Sequence, residues 1–236
     1  MLARMESGVQ SELVRLAVGD GGGPEVWDCG VVPYVQALTL QEELCVRRQQ
    51  GRISDVVLLV EHPAVITLGA RTPENKLLVS REDLRGRGTE VVQIRRGGGT
   101  TAHNPGQAVI YPILKIKPLG LGVNEYVRGL EAVGVELLAG FGVTAQRRKG
   151  YPGLWVGERK IGSIGVQIKR GVTMHGMAIN VNNDLAIFDA IVPCGIEGVV
   201  MTSVRMETGR DANLGEVKGR LADLAVRCWC GERAAR

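Results

Sequence analysis

The chain of 236 residues has few aromatic residues, which make up 4% of it, and no hydrophobic run long enough to cross a bilayer. Proteins that bind single-stranded nucleic acid need aromatic rings on which the bases stack, so the composition argues against that class. The first residues, Met1–Ser7, lack the apolar core of a secretory signal. No phosphate-binding P-loop signature is present either, which is consistent with a protein that does not use ATP. We therefore expect a cytoplasmic protein that binds neither nucleic acid nor a membrane.

Cysteine and histidine are scarce and irregularly spaced. The five cysteines are odd in number and follow no regular pattern, so they describe no disulfide framework. The three histidines stand singly in the sequence, and we predict that each forms hydrogen bonds and that none belongs to a metal site. No cofactor is expected. The cysteines are Cys29, Cys45, Cys194, Cys228 and Cys230, and the histidines are His62, His103 and His175.

The net charge of +4 is modest, but basic residues cluster in four short segments. Such segments are often no more than solvated faces. If they share one surface, they would attract an acidic partner, and the low aromatic content favours a protein over a nucleic acid. The segments are Arg47–Arg48, Arg95–Arg96, Arg147–Lys149 and Lys169–Arg170.

Apolar periodicity predicts three amphipathic helices that lie outside the clusters of strands rather than alternating with each strand. This order favours the α+β class, with a mixed, largely antiparallel sheet flanked by helices. Residues 1–25, which end in a glycine-rich segment, are predicted to form an N-terminal extension, and residues 26–236 to form one domain. Helices are expected between Pro33 and Gly51, over 124–139 and over 214–228, and strands over 56–60, 91–94, 108–116 and in succession within 154–181.

Cys194 lies between Pro193, which stiffens the backbone, and Gly195, which permits a sharp turn, and this arrangement is suited to presenting a nucleophile. Lys160 lies among apolar and small residues, where burial would favour the neutral amine that can act as a base. A thiol and an amine together indicate acyl transfer through a covalent intermediate. The alternative is a buried structural cysteine and a surface lysine.

Two further segments predict a ligand pocket. The loop Gly97–Gly99 precedes an apolar run that starts at Ala108, and successive glycines would let backbone N–H groups approach a ligand. A flexible turn would have the same composition. The small residues around His175 are typical of a strand that passes a cavity.

Six ordered segments between about Val26 and Ser203 carry a resemblance to a known family. They are Glu61–Gly69, Arg95–Gln107, Lys160–Gly165, His175–Val181, Pro193–Ile196 and Thr202–Ser203. In this order they resemble the octanoyltransferases of lipoate synthesis. The resemblance implies the fold of the biotin and lipoate protein ligases, with Cys194 as the acyl-thioester nucleophile and Lys160 as its partner. It also implies an acyl pocket formed by Arg96, Gly97, Gly98, Gly99, Thr100, Thr101, Ala102, His103, Ser163, Ile164, Gly165, Gly176, Met177 and Ala178.

The same resemblance implies a two-step transfer with two protein partners. The donor would be octanoyl-acyl carrier protein, which is acidic, and the acceptor a lysine of the lipoyl domains of 2-oxoacid dehydrogenase complexes or of the glycine cleavage H protein. Lys160 would act as a base or, as an ammonium, stabilise the thiolate. The chain departs from the family at Ala102, where a tyrosine is usual. The pocket would therefore accept longer acyl chains, unless residue 102 points away from it.

Two other functions compete with octanoyl transfer. A lipoate or biotin protein ligase of the same fold would activate a free acid with ATP, but adenylation needs no thiol nucleophile, so Cys194 favours the transferase. A catalytically inactive member that only binds carrier proteins, or a basic nucleic-acid-binding domain, is the second alternative. The presence of both Cys194 and Lys160 argues against an inactive member, and no nucleic-acid-binding motif occurs.

Overall fold

A computed structural model describes residues 13–18 and 23–230, which form a large sheet, a small sheet and flanking helices. The strands are β1 (Val14–Val18), β2 (Glu25–Val31), β3 (Val56–Glu61), β4 (Val65–Leu68), β5 (Glu90–Gln93), β6 (Thr100–His103), β7 (Gln107–Ile113), β8 (Gln146–Arg148), β9 (Tyr151–Val156), β10 (Arg159–Lys169), β11 (Val172–Asn180) and β12 (Val200–Met201). The α-helices are α1 (Tyr34–Gln49), α2 (Arg81–Gly86), α3 (Val123–Gly140), α4 (Val204–Thr208) and α5 (Leu214–Trp229).

The large sheet is mixed and largely antiparallel. Its strand order is β1-β2-β3-β7-β11-β10-β9-β8, and β12 pairs with β10. The pairs β2–β3 and β10–β12 are parallel, whereas the other pairs of this sheet are antiparallel. The small sheet has the order β5-β4-β6. The predicted fold class is therefore confirmed.

Helices cover both faces of the large sheet because its central strands are apolar on both sides. In β3, Val57 and Leu59 pack with α3 and α5, whereas Leu58 and Val60 pack with α1. Alternate side chains of a strand point to opposite faces, so an uninterrupted apolar strand indicates that both faces are covered. The buried side chain of Lys218 ties α5 to the sheet, with Nζ 3.1 Å from carboxylate oxygens of both Asp28 and Glu61.

The predicted helices correspond to α1, α3 and α5, and the predicted strands to β3, β5, β7 and β9–β11. Within the predicted N-terminal extension, Val14–Val18 forms β1 and pairs with β2, so this part adds an edge strand to the sheet. Residues 1–12 of the extension and residues 19–22 of its glycine-rich end lie outside the described residues. In the part of the chain that the structure describes, no helix has the length and apolarity needed to cross a membrane.

The connection after β11 brings distant parts of the sequence together. It passes through two short 3₁₀ helices, Leu185–Ala190 and Pro193–Gly195, and returns as β12, which pairs with the start of β10. In this pairing Met201 lies opposite Lys160. Strand β6 of the small sheet packs against the Pro193–Gly195 helix from the other side. The turn that carries Cys194 is therefore held where the two sheets meet.

Candidate active site

Cys194 and Lys160, which are 34 residues apart in the sequence, are in direct contact. Lys160 Nζ donates a hydrogen bond to Cys194 Sγ at 3.2 Å. The lysine is 1% exposed, and its Nζ lies 5.3 Å from the ring centre of Trp155. None of the ion pairs among the described residues includes Lys160. A buried amine that faces a thiol and an aromatic ring is placed to accept or donate a proton at sulfur.

The turn that presents Cys194 is tight and strained. Cys194 itself has left-handed backbone angles, with φ 55° and ψ 20°, which are uncommon for a residue other than glycine. Gly195 follows with φ 67°, and a Cβ at that position would come within 2.8 Å of Cβ of Glu74. Such strain is found mainly at functional sites, where the surrounding structure holds it in place.

Gly153 of β9 makes room for the side chain of Lys160. A Cβ on Gly153 would lie 2.9 Å from Lys160 Cε and 2.6 Å from the carbonyl oxygen of Gly162. Its φ of +137° is also one that side chains rarely adopt. Its N–H donates a hydrogen bond to Glu131 Oε1 at 3.3 Å, which fixes the strand against α3. Gly153 is therefore a positioning residue for the lysine.

We expect Gly153→Ala to slow acylation of Cys194 about 100-fold, the penalty typical of a catalytic group displaced by about 1 Å. Gly157→Ala is the matched control, because Gly157 also has a positive φ, in the neighbouring turn, but nothing lies within 4 Å of its Cβ position. The rate of adduct formation is measured by intact mass on both variants, with circular dichroism as the test of folding. Equal rates in the two variants would contradict the role of Gly153.

Cys194 opens onto a pocket that is partly open to solvent. Strands β10 and β11, which carry two of the predicted pocket segments, pair with each other in the wall of this pocket. Ser163 lies opposite Ala178, and Gly165 lies opposite Gly176. Gly176 is required there, because a Cβ would come within 2.1 Å of the carbonyl oxygen of Ile110. The predicted pocket residues that line it are Arg96, Gly98, Thr101, His103, Ser163, Ile164, Gly165, Gly176, Met177 and Ala178.

Four predicted pocket residues, Gly97, Gly99, Thr100 and Ala102, are not among the residues that line it. Side chains alternate along β6, so Thr101 and His103 line the pocket whereas Thr100 and Ala102 face the other way. Thr100 Oγ1 accepts a hydrogen bond from the Lys76 N–H at 3.0 Å. Gly97 and Gly99 have structural roles: Gly97 N–H donates to Val166 O at 2.9 Å, and Gly99 packs directly against Glu74.

Ala102 is 0% exposed and packs in the core of the small sheet, with Ile66, Leu68 and Phe188 among its neighbours. Ala102→Tyr should therefore overpack this core, at a cost of about 1–3 kcal/mol, rather than narrow the acyl pocket. We expect a lower melting temperature, by roughly 2–12 °C, with an unchanged chain-length preference.

Acylation rates with hexanoyl, octanoyl, decanoyl and dodecanoyl donors test this expectation. The matched control is Ala178→Val, because Ala178 lines the pocket. That variant should shift the preference toward shorter chains. A similar shift in Ala102→Tyr would contradict the orientation of residue 102.

The structure adds Tyr34, Val109, Tyr111 and His175 to the pocket wall. These residues come from α1, β7 and β11, and only His175 stands in a segment whose composition indicates a cavity. Tyr34 and Tyr111 have no such signal, because their apolar neighbours are those of an ordinary helix and an ordinary strand. Their role in the pocket depends on the tertiary contacts between distant elements.

The three histidines, which are far apart in the sequence, lie in one buried cluster with Tyr34 and Tyr111. Each forms hydrogen bonds, as predicted: His62 Nδ1 to Val32 O at 2.7 Å, His103 Nδ1 to Gln107 Oε1 at 2.7 Å and His175 Nδ1 with Tyr34 Oη at 3.4 Å. Burial lowers the pKa of His62 and of His175 to about 4, and that of His103 well below its usual value. All three are therefore neutral near pH 7. Within the described residues, no cluster of histidine, cysteine and acidic residues has an arrangement that could hold a metal ion.

Arg96 is the positively charged residue of the pocket wall. Its side chain is buried, with 6% exposed, so it does not contribute to the basic surface considered for the segment Arg95–Arg96. Its Nη1 donates to Gly97 O at 3.1 Å and to Gly99 O at 2.8 Å. Its Nη2 donates to Thr67 O at 2.9 Å and Thr67 Oγ1 at 2.7 Å. Burial lowers the pKa of the guanidinium. Arg96 thus holds the glycine loop against β4 and leaves a positive charge beside Cys194.

Comparisons with known proteins identify the family of the chain. Residues 33–224 match the lipoyl protein ligase A/B catalytic domain. An octanoyltransferase of Chloroflexus aurantiacus is 46% identical over 195 residues, which cover 81% of this chain and 87% of that protein. A mitochondrial octanoyltransferase of Arabidopsis thaliana is 43% identical over 185 residues, with 78% and 79% covered.

Among solved structures, a bipartite lipoate protein ligase from Thermoplasma acidophilum superposes with a TM-score of 0.62 at 17% identity, over 84% of this chain and 80% of that one. At this level of identity the likeness shows the fold alone. The sequence matches go further, because they extend over most of both chains at more than 40% identity. The chain therefore belongs to the lipoyl protein ligase A/B catalytic domain family and, within it, to the octanoyltransferases.

Proposed function

We propose that this protein transfers an octanoyl group from octanoyl-acyl carrier protein, through a thioester on Cys194, to a lysine of a lipoyl domain. The observation that carries the proposal is the 3.2 Å contact between Lys160 Nζ and Cys194 Sγ beside the pocket. Family membership supports the octanoyl group and the link to lipoylation. The acceptors would be the lipoyl domains of 2-oxoacid dehydrogenase complexes and the H protein.

In the first step the sulfur of Cys194 attacks the thioester carbonyl carbon of the donor. The new C–S bond forms as the bond to the carrier sulfur breaks, and the carrier leaves as a thiol after taking a proton from Lys160. The same lysine has accepted that proton from Cys194, or has stabilised the thiolate as an ammonium. A thioester is already activated, so this step requires no ATP.

In the second step the ε-amine of the target lysine attacks the octanoyl thioester on Cys194. The C–N bond of the amide forms, the C–S bond breaks, and the proton lost by the amine passes to the leaving sulfur through Lys160. The pocket holds the acyl chain during both steps. Each buried methylene stabilises binding by about 0.8 kcal/mol, so a sharp upper limit on chain length must come from the closed end of the pocket.

The surface near the site fits an acidic carrier. Arg148 lies over the ring of Trp155, with its guanidinium carbon 5.1 Å from the ring centre, and the same ring contacts Lys160. Arg147 and Lys149 are exposed beside it. Arg148 also pairs with Glu158, at 2.9 Å. These cations would attract an acidic donor close to the nucleophile.

An ATP-dependent ligase of the same fold is the alternative, and one experiment separates the two. The protein is incubated with octanoyl-acyl carrier protein in the absence of ATP, and its intact mass is recorded. We expect a mass increase of one octanoyl group, followed by its loss when an acceptor lipoyl domain is added. If no adduct forms without ATP, while octanoate and ATP give octanoyl-AMP, the chain is a ligase and the proposal is wrong.

A further inference from the structure

Three polar atoms in the pocket wall have no hydrogen-bond partner in the part of the chain that the structure describes. They are Arg96 Nε, Thr101 Oγ1 and His175 Nε2, and all three are buried. Their residues line the same pocket as Cys194. A buried polar atom without a partner is costly, so such atoms in a pocket indicate a polar atom of the ligand. In the octanoyl group the one oxygen is that of the reacting carbonyl.

Two of these atoms belong to residues close to the nucleophile. Thr101 lies on β6, which packs against the Pro193–Gly195 helix, and Arg96 lines the same pocket as Cys194. The backbone N–H groups of the two residues after Cys194 already donate hydrogen bonds within the turn. Gly195 N–H donates to Val192 O at 3.2 Å, and Ile196 N–H donates to Pro193 O at 3.0 Å. These two backbone donors are therefore not free to hold the negative charge that develops on the carbonyl oxygen.

Arg96 is suited to this charge because no carboxylate of the described residues forms an ion pair with it. Its hydrogen bonds go to carbonyl and hydroxyl oxygens, and no ion pair of the described residues includes it. The neighbouring histidines are neutral, and burial raises the pKa of Tyr34 to about 12, so this tyrosine is protonated. The pocket thus presents a fixed positive charge that no carboxylate of the described residues pairs with, which is an arrangement that favours an oxyanion.

We infer that Arg96 Nε–H and Thr101 Oγ1–H donate hydrogen bonds to the carbonyl oxygen of the acyl thioester and stabilise the tetrahedral intermediate. The inference rests on the proposed function. When Cys194 sulfur bonds to the carbonyl carbon, the π-electron pair moves to the oxygen and is held by the two donors. The pair then returns to form the carbonyl again as the bond to the leaving sulfur breaks. The same donors act in the transfer from Cys194 to the acceptor amine.

Thr101→Val tests the inference, because it keeps the shape of the side chain and removes a hydroxyl that has no hydrogen-bond partner among the described residues. Its stability should be unchanged or slightly higher. The acylation rate with octanoyl-pantetheine, measured by intact mass, should fall about 100-fold, as for the loss of one oxyanion donor. Affinity for the octyl thioether of pantetheine, which has a methylene in place of the carbonyl, should not change. Thr101→Ser keeps the hydroxyl and should restore most of the rate.

The outcomes separate this inference from the proposed function. Arg96→Lys should also lose rate, but Arg96 anchors the glycine loop, so Thr101→Val decides the question. Acylation of Thr101→Val at the wild-type rate would overturn the inference and leave the proposed function intact. Equal losses of acylation rate and thioether affinity would make Thr101 a packing residue and overturn it as well. If the wild-type protein forms no octanoyl adduct, the proposed function is wrong and the inference is wrong with it.

Discussion

Cys194→Ala should abolish both the octanoyl adduct and turnover, because the alanine has no atom that can form the thioester. The fold should be retained, since Cys194 is partly exposed and a methyl group fits the space of the thiol. Intact mass after incubation with octanoyl-acyl carrier protein is the measurement, followed by peptide mapping of the wild-type adduct. Cys230→Ala serves as the control and should keep the adduct.

The assignment of the nucleophile has four competitors in this chain, Cys29, Cys45, Cys228 and Cys230. Burial raises the pKa of Cys29 to about 12, so its thiolate is scarce near pH 7. Burial also raises the pKa of Cys45. An adduct that persists in Cys194→Ala, or that maps to one of the other four thiols, would show that another cysteine carries the acyl group.

Lys160→Met should slow acylation by about 10²–10⁴-fold, the range typical of a lost general acid or base. Methionine has a similar length and flexibility, so the packing over Trp155 should be retained. Removal of the amine should also slow the alkylation of Cys194 by iodoacetamide near neutral pH, because the thiolate loses its positively charged or proton-accepting neighbour.

The matched control for this variant is Lys117→Met, because Lys117 is exposed and belongs to no ion pair of the described residues. It should react at the wild-type rate with the small donor octanoyl-pantetheine. The rate at which iodoacetamide alkylates Cys194 reports whether Lys160 activates the thiol, independently of any role of the lysine in binding the acyl chain. An unchanged pH profile of alkylation in Lys160→Met would show that the lysine does not act on Cys194.

The helices and strands that the sequence predicts well are those with a strong apolar pattern. Helices α1, α3 and α5 have apolar stripes, and β3 and β7 are apolar runs, so pattern alone places them close to their observed bounds. Of the small sheet, only β5 is predicted, from the apolar pair Val91–Val92. Strands β4 and β6 also have four residues each, a length at which alternation does not distinguish a strand from a loop, and β6 contains no apolar run.

Local motifs also identify the two residues in contact at the site, but they do not reveal which way a side chain points. Cys194 and Lys160 are marked by their neighbours in the chain. The orientation of Ala102 depends on the strand formed by β6, and the histidine cluster depends on contacts among α1, the end of β3, β6, β7 and β11. These features are set by tertiary packing, so a single sequence contains no local signal for them.

The left-handed backbone at Cys194 limits which nucleophiles this scaffold can use in evolution or in redesign. With φ at 55°, an unbranched side chain is tolerated at moderate cost, whereas a β-branched one clashes with the backbone. Serine is therefore a conservative exchange in shape, and threonine is not. Cys194→Ser would therefore exchange a single atom, sulfur for oxygen, without a change in the backbone of the turn.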